Sequence, residues 1–310
     1  YNTGHPQEDY FNMYRIDDKS DLKEAVLYVD YKTNIREHNM AAAGREAGCG
    51  FSKSFVESFL CSDGLPISLS NKYLGDETMR KETANRDPRL KQLILTNDFP
   101  TNVTDDLKDS TFVVNEDEFI TQHCFTGYRP IKGFNPIYSQ ALYMKSSFDG
   151  IAYRYAETLL INAEAKAELN TITNADLDRT VNQLRDRVGM PHLTVNVGFT
   201  DPKWPDWGYS LSPVLQEIRR ERCIELAGEG FRFNDLKRWK AGKLLNNVLT
   251  YVGKRKPDGN LAIVYPNYTN PDLSYQAGKS RTWEDKMYLY PIPTGELQRN
   301  PQLLPQNPGW

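Results

Sequence analysis

Charged side chains are concentrated between Arg219 and Lys240, in the stretch RRERCIELAGEGFRFNDLKRWK. Two carboxylates in such a stretch can serve as the acid and base of a glycoside hydrolase if an apolar site or a like charge raises the pKa of one of them. Here Glu225 and Asp235 each follow an arginine by three residues, and a neighbouring guanidinium lowers a carboxyl pKa. The pattern therefore predicts structural ion pairs rather than catalytic acids.

Two helices are predicted to position these charges. The first follows the capping residue Ser212, spans residues 214–227 and ends at Gly228. At helical spacing, the charged residues of both helices fall among apolar side chains such as Leu236 and Trp239. The two helices are therefore expected to share a buried ionic cluster with no catalytic residue in it. Its predicted members are Arg222, Glu225, Arg232 and Asp235.

Charge and composition exclude several classes of protein. The formal net charge is −3 and 25% of the residues are charged, so no basic field is present to hold nucleic acid. No stretch approaches the roughly 18 consecutive apolar residues of a membrane-spanning helix. Aromatic residues make up 12% of the chain, and their rings either pack in a core or stack on flat ligands.

The cysteines give little support for a metal site. They include no C-x-x-C pair, and His123 beside Cys124 is the one histidine next to a cysteine, so neither zinc nor any cofactor is predicted. Cys49 and Cys61 fit a disulfide in an oxidising compartment, and free thiols fit the same spacing equally well. No calcium-loop motif is present, but scattered oxygen ligands leave no linear pattern, so a structural Ca²⁺ is compatible with the sequence.

The rest of the chain predicts a mainly helical protein with short strands. Residues 151–169 place small and apolar side chains on one helical face, and a capping signal from Thr173 to Asp176 starts a second helix that ends at Gly189. A small-residue face allows close approach, so these segments predict an antiparallel hairpin of the tetratricopeptide type. Short strands are predicted at residues 24–32, near Val113, from Leu261 and from Met287.

A long loop between Pro191 and Pro213 carries the first set of candidate ligand-binding rings. Two further prolines stiffen this loop around Trp204 and Trp207, with Tyr209 just beyond, so the ring faces can be held ready to stack on sugar rings. In the alternative interpretation, both tryptophans pin the loop onto the helices. The spacing fits both interpretations.

A second set of candidates lies in the polar segment NIREHNMAAAGREAGCGFSKSF. Its polar side chains can hydrogen-bond to hydroxyl groups, and its phenylalanine can stack on a ring. Polar loops near glycines are also common where no ligand binds. The candidates from this segment are Arg36, His38, Asn39 and Phe51, and isolated aromatic candidates elsewhere are Tyr73 and Trp283.

Several segments, in chain order, resemble one known family. YRYAETLLINAEAKAELN, VNQLRDRVGMP, LQEIRRERCIELAGEGFRFNDLKRWKAGK and YLYPIPTGELQRNPQLLPQNPGW are similar to the C-terminal half of SusD/RagB-type outer-membrane lipoproteins. CSDGLPI and NRDPRL nearer the start fit the same pattern. The motifs run from about Ala25 to Trp310, and their shared order makes the resemblance specific.

The resemblance implies a mainly α, SusD-like fold with tetratricopeptide-like helix hairpins, long loops and a few short β-strands. It also implies that residues 1–310 form one domain, corresponding to the C-terminal portion of a longer chain. In full-length members a signal peptide and a lipid anchor place the protein on the outer face of the outer membrane. The family's ligand residues lie on variable loops without a signature, so none is assigned here by position.

The implied function is non-catalytic binding of an oligosaccharide or polysaccharide and its delivery to a SusC-like TonB-dependent transporter. A helical-repeat module that binds a protein or peptide for a nutrient-uptake complex is the alternative. A glycoside hydrolase is a third hypothesis, against which the arginine partners of Glu225 and Asp235 argue.

Overall fold

Short helices make up most of the regular structure in the computed structural model, which describes residues 1–40, 50–121, 123–263 and 282–310. Between them run short 3-10 turns and long irregular connections. The α-helices are α1 (Asp9–Asn12), α2 (Lys53–Ser58), α3 (Met79–Thr83), α4 (Arg89–Leu93), α5 (Tyr138–Ala141), α6 (Tyr155–Glu168), α7 (Asn174–Asp178), α8 (Val181–Arg187), α9 (Pro213–Glu225), α10 (Phe231–Arg238) and α11 (Thr294–Arg299).

The strands form antiparallel two-stranded ribbons. β1 (Ala25–Val29) pairs with β4 (Gly150–Arg154), β2 (Pro100–Val103) with β3 (Ser110–Phe112), and β5 (Val252–Arg255) with β6 (Leu261–Ile263). The strands predicted at residues 24–32, near residue 113 and from residue 261 are confirmed, with shorter bounds.

The strand predicted from Met287 is wrong. Residues Asp285–Tyr288 form a 3-10 turn instead. The ring of Tyr288 packs edge-on to that of Trp283, with 5.1 Å between centroids, and its hydroxyl accepts a hydrogen bond from the N–H of Gly242. The contact with Gly242, which lies 46 residues earlier in the chain, overrides the apolar pattern of the segment.

The helix predicted at residues 151–169 begins four residues later than predicted, at Tyr155. Residues up to Arg154 belong to β4, because they pair with β1 in a register that sets Ala25 opposite Arg154 and Val29 opposite Gly150. Ala152, placed on the helical face by the prediction, is therefore in a strand and exposed. The rest of that face is buried as predicted, namely Ala156, Leu159, Leu160, Ala163 and Ala167.

The second helix of the predicted hairpin is divided into two. The capping box forms as predicted, since Thr173 accepts a hydrogen bond from the N–H of Asp176 and donates its own N–H to the Asp176 carboxylate. α7 then ends, and α8 starts after Thr180, whose hydroxyl donates to the Asp176 carbonyl at 2.6 Å. This side-chain bond to a helical carbonyl competes with continuation of the helix. The faces of α6, α7, α8 and α9 pack into one apolar cluster.

α9 and α10 match the predicted helix pair. Ser212 caps α9 by accepting from the N–H of Leu215, with Pro213 in the first turn. Gly228 and Gly230 both have positive φ, at 74° and 85°, a backbone region that glycine enters without steric cost. The chain thereby reverses between the two helices.

A buried network of ion pairs centres on Glu225, the last residue of α9. Its carboxylate accepts hydrogen bonds from Arg89 at 2.9 Å, from Arg154 at 2.6 Å and from Arg187 at 2.6 Å. All four side chains are buried. Burial on its own would raise the pKa of Glu225, but the three guanidiniums hold it well below its usual range. One carboxylate therefore joins α4, β4, α8 and α9.

The network extends at each side of Glu225. Arg89 also binds Asp87 and Glu221, and Arg185 binds the other oxygen of Glu221 at 3.0 Å. On the opposite side, Arg154 bridges to Glu229, which also binds Lys132. Each charged group therefore has opposite charges as neighbours, as buried charges require.

The predicted partners within this cluster are wrong, and the predicted burial is confirmed for Arg222, Glu225 and Asp235 but not for Arg232. Arg222 does not pair with Glu225 in its own helix but reaches across to Asp235 of α10 at 2.8 Å. Asp235 takes its second partner from Arg238, whereas Arg232 is exposed and lies over the Trp239 ring. Three-residue spacing placed Arg222 and Glu225 on a buried face, but it did not indicate which cation each carboxylate binds.

Substituting Glu225→Gln should lower the free energy of unfolding by roughly 3–5 kcal/mol, because three buried guanidiniums lose their shared anion. Chemical denaturation followed by circular dichroism measures this change. Glu296→Gln is the matched control, since Glu296 is exposed and pairs only with the exposed Arg299 among the described residues; its effect should stay within about 0.5 kcal/mol. Equal stability of the two variants would contradict the structural role of Glu225.

Acidification should lower the free energy of unfolding because Glu229 becomes protonated. Burial would raise the pKa of Glu229, but Lys132 and Arg154 outweigh burial and lower it to about 2, from an ordinary value of 4.5. Because the folded-state pKa is the lower one, its stabilisation is complete above pH 4.5 and is lost as the pH falls towards 2. The loss should amount to roughly 3 kcal/mol. Unfolding measured across this range should vary less with pH in Glu229→Gln, and an unchanged pH profile would refute the assignment.

Candidate functional site

The tryptophan loop does not offer Trp207 to a ligand. Trp207 is only 6% exposed, and its indole N–H donates to Gln216 at 2.6 Å. Its ring packs edge-on against Trp239, with the Arg219 guanidinium 4.8 Å from the Trp207 centroid. Trp207 therefore pins the loop onto α9 and α10, and the interpretation of this residue as a stacking platform is wrong.

The other two rings of that loop have different positions. Tyr209 is partly exposed, but its hydroxyl donates to the Trp239 carbonyl at 2.7 Å and accepts from Arg219 at 3.0 Å. Trp204 is half-buried and donates its indole N–H to Glu217 at 2.7 Å. Tyr209 and Trp207 therefore share the surroundings of Arg219, whereas Trp204 contacts a different residue of α9.

Two members of the second candidate set are structural. His38 is buried, with one ring nitrogen 2.8 Å from the Phe148 carbonyl and the other accepting from the N–H of Met40. Burial lowers the pKa of His38, so the neutral ring is favoured. Phe51 stacks on Phe55 at 4.5 Å and packs against the main apolar core. Neither is placed for first contact with a ligand.

The isolated aromatic candidates are also engaged by the protein. Tyr73 is half-buried, with the Arg86 guanidinium 5.3 Å from its ring centroid. Trp283 is half-buried and covers Gly242 so closely that a Cβ at position 242 would overlap the indole ring. Each ring packs on its own part of the surface.

Arg36 and Asn39, in contrast, lie beside tyrosines that are not among the sequence candidates, Arg36 beside Tyr31 and Asn39 near Tyr143. Tyr143 is 74% exposed and Tyr138 is 54% exposed. The Asn39 side chain accepts a hydrogen bond from the N–H of Met144 at 3.1 Å, next to Tyr143, and Arg36 lies exposed 5.1 Å from the Tyr31 ring centroid. We call Asn39, Tyr138 and Tyr143 the tyrosine surface, and Arg36 lies on the same loop as Asn39.

The two loops of the tyrosine surface are joined by backbone and side-chain contacts. His38 and Ser146 exchange both backbone hydrogen bonds, at 2.9 and 3.1 Å, and Lys145 pairs with Glu37 at 2.9 Å. The hydrogen bond from Lys145 lowers the pKa of Glu37, which therefore stays ionised. The exposed rings are thus attached to an ordered frame, and polar groups lie beside them.

One signal in the sequence could have pointed to these tyrosines. The segment NPIYSQALYMKSS carries two tyrosines five residues apart around a short helix, with no apolar periodicity to bury both. Periodicity does not indicate which loop lies next to these tyrosines, because Asn39 and Met144 are more than one hundred residues apart in sequence. The contact between the two loops is visible only in the folded structure.

One buried carboxyl has the raised pKa that a general acid requires, but not the access. Burial raises the pKa of Glu82, against the opposing effect of Lys53. Glu82 is fully buried, binds Lys53, and accepts hydrogen bonds from the Tyr128 hydroxyl at 2.8 and 2.9 Å. Its oxygens are occupied by the protein, so Glu82 is a core residue.

The structure describes one of the two cysteines considered for a disulfide, and it shows how the potential metal ligands are arranged. Cys49 lies outside the described residues, while Cys61, its possible partner by spacing, is a buried free thiol. Across the described ranges, no group of three or more His, Cys, Asp or Glu side chains is arranged to hold a metal ion. Within the same ranges, no helix has the length and apolar character needed to cross a bilayer.

Comparison with known proteins gives a consistent set of relatives. A family model described as the SusD family matches residues 11–310. A SusD-like protein from Bacteroides fragilis NCTC 9343 has a crystal structure that superposes with a TM-score of 0.69 at 26% identity, over 100% of this chain and 58% of that one. The fold class and the family resemblance inferred from the sequence are both confirmed.

Two further relatives cover smaller shares. The SusD-like protein P2 of Formosa agariphila is 33% identical over 166 residues, which are 54% of this chain and 27% of that protein. A SusD-like carbohydrate-binding protein, also from B. fragilis NCTC 9343, superposes with a TM-score of 0.60 at 24% identity, over 91% of this chain and 54% of that one. The chain thus spans little more than half the length of these two solved relatives.

Trp207→Ala should behave as a core mutation. Removing this buried ring should lower the free energy of unfolding by roughly 3–5 kcal/mol, because it leaves a cavity beside Trp239 and Arg219. Differential scanning calorimetry measures the change. Tyr143→Ala, the truncation of an exposed ring, should shift stability by less than about 0.5 kcal/mol. If Trp207→Ala were as stable as the native protein, the loop would not depend on this anchor.

Proposed function

The chain belongs to the SusD family, and on that premise we propose that it binds glycans without catalysis at the cell surface and delivers them to a SusC-like TonB-dependent transporter. The observation that carries the proposal is the family match across residues 11–310. In addition, the whole length of this chain superposes on part of a solved SusD-like protein. Family members are associated with the outer membrane at the cell surface.

The tyrosine surface supports the glycan part of the proposal. Exposed ring faces such as that of Tyr143 stack on sugar rings, and stacking of this kind requires no charge on the ligand. Asn39 lies next to Tyr143 through its hydrogen bond with Met144, and its amide can bond to hydroxyl groups. One fold-level neighbour of the chain is itself described as a carbohydrate-binding protein.

The ionic network supports binding without catalysis. A glycoside hydrolase needs a carboxyl that stays protonated near neutral pH and can reach the substrate. Arginines lower the pKa of Glu225, and Glu82, whose pKa is raised, is sealed in the core. These carboxyls therefore serve the fold.

Delivery to a transporter is proposed from family membership. A protein that binds without catalysis supports uptake only if the ligand is passed on. Co-purification of the full-length protein with a TonB-dependent barrel from outer membranes tests this part, and recovery of the protein without any such barrel would count against it.

Affinity electrophoresis in gels containing different neutral polysaccharides tests glycan binding. We expect at least one polysaccharide to slow migration, and the double variant Tyr138→Ala/Tyr143→Ala to weaken binding by about tenfold or more, since each stacked ring contributes on the order of 1 kcal/mol. Tyr153→Ala is the matched control, because the Tyr153 ring is exposed to a similar extent, at 59%, but lies on β4 and not on the tyrosine surface. This control should bind like the native protein.

Three outcomes would count against the proposal. Release of reducing sugar from a retarding polysaccharide would indicate a hydrolase. Normal migration in every gel would leave the protein- or peptide-binding alternative in its place. Equal binding by the double variant and the native protein would move the glycan site away from the tyrosine surface.

A further inference from the structure

The turn between β2 and β3, residues 104–109, lies against the loop that carries Tyr138. The N–H of Val103, the last residue of β2, donates to the Pro136 carbonyl at 2.9 Å, and Val103 forms a parallel bridge with Ile137. Tyr138 follows Ile137 directly in the chain and is exposed. The turn therefore borders the tyrosine surface.

Asp105 connects this turn to the first residues of α5. Its Oδ1 accepts a hydrogen bond from the N–H of Ser139 at 2.9 Å. Two covalent bonds separate that nitrogen from the Cα of Tyr138, so Oδ1 lies within about 6 Å of this Cα. Asp105 and Tyr138 are both exposed, so the carboxylate and the ring are open to the same ligand from solvent.

The second carboxylate oxygen of Asp105 is available as an acceptor. Among the described residues, Oδ2 of Asp105 has neither a hydrogen-bond partner nor an ion-pair partner. The next residue differs, because Oδ1 of Asp106 accepts from the Thr104 hydroxyl at 2.6 Å and Oδ2 pairs with Lys108 at 3.1 Å. A carboxylate oxygen accepts hydrogen bonds from hydroxyl groups. Asp105, unlike Asp106, therefore presents an acceptor to solvent.

Three cations close to the tyrosine surface are engaged by neighbouring side chains. These contacts are Lys145 with Glu37 at 2.9 Å, Lys108 with Asp106 at 3.1 Å, and Arg36 with the ring centroid of Tyr31 at 5.1 Å. An anionic sugar would have to compete for one of these cations and would be repelled by the carboxylate of Asp105. An uncharged sugar can donate a hydroxyl hydrogen to Asp105 without either cost.

We propose that Asp105 is a specificity-determining residue of the tyrosine surface. Its carboxylate accepts a hydrogen bond from a hydroxyl group of the sugar that lies on Tyr138, and it disfavours anionic sugars. The ligand is therefore an uncharged glycan and not one that carries carboxylate or sulfate groups. The inference rests on the proposed glycan-binding function and adds to it the charge of the ligand and the residue that selects it.

Affinity electrophoresis in gels that contain neutral or anionic polysaccharides tests the selectivity. Laminarin, galactomannan, xyloglucan and dextran are the neutral probes, and alginate and carrageenan are the anionic probes. We expect at least one neutral polysaccharide to slow the migration of the native protein, and neither anionic polysaccharide to do so.

The variant Asp105→Asn separates hydroxyl binding from support of Tyr138. Its amide oxygen can still accept from the N–H of Ser139, but an N–H donor replaces Oδ2. Binding of the retarding neutral polysaccharide should weaken by about tenfold, as expected for the loss of a hydrogen bond to a charged group. A residue that only supported Tyr138 would keep its function in this variant.

Asp106→Asn is the matched control. It makes the same change of charge one residue away, at a carboxylate that Thr104 and Lys108 already engage. It should bind the neutral polysaccharide like the native protein. Asp105 and Asp106 are both exposed, so thermal unfolding of the two variants should match that of the native protein.

Three results would overturn the role of Asp105. These are native binding by Asp105→Asn, equal weakening by Asp106→Asn, and retardation of the native protein by alginate or carrageenan as strong as that by any neutral polysaccharide. In each case, neutral-polysaccharide binding that Tyr138→Ala/Tyr143→Ala weakens would leave the proposed function intact. If no polysaccharide slows the native protein, the proposed function fails and the role of Asp105 fails with it.

Discussion

The carboxylate of Glu225 is the point on which four separate parts of the chain converge. Arg89, Arg154 and Arg187 reach it from α4, β4 and α8, and all of them are buried. A charge in the interior is tolerated only when its partners are present together, because each of them has also lost its water. Correct placement of any one of these elements therefore depends on the other three.

This dependence matters because the elements are short. α4 has five residues and α8 has seven, which is below the length at which an isolated helix is stable in water. Such helices persist through their tertiary contacts. Arg89 illustrates the principle, since it lies in the first turn of α4 and binds Asp87, Glu221 and Glu225 at the same time. The network supplies directional contacts that apolar packing alone does not provide.

The sequence predicted the elements that depend on local signals. The Thr173 capping box, the Ser212 cap and the buried face of α6 all follow from residues within a few positions of each other. Predictions failed where distant residues compete. β4 forms in place of the first turn of a helix because β1, more than one hundred residues earlier, pairs with it. Arg222 binds Asp235 because α10 folds back onto α9.

The same distinction decides which aromatic residues are free to bind a ligand. The local sequence does not separate Trp207 from Tyr143, since both lie outside the helices and strands. The difference lies in their neighbours. Arg219, Gln216 and Trp239 surround Trp207. The loop of Tyr143 is held by backbone hydrogen bonds between His38 and Ser146, and the tyrosine ring stays exposed to solvent. The loop around Trp207 is anchored by buried rings and by the hydrogen bond from Trp204 to Glu217, whereas open ring faces are left to the tyrosine surface. Rigid frames of this kind lower the entropy that the protein loses when a ligand binds, because the protein side of the contact is already ordered.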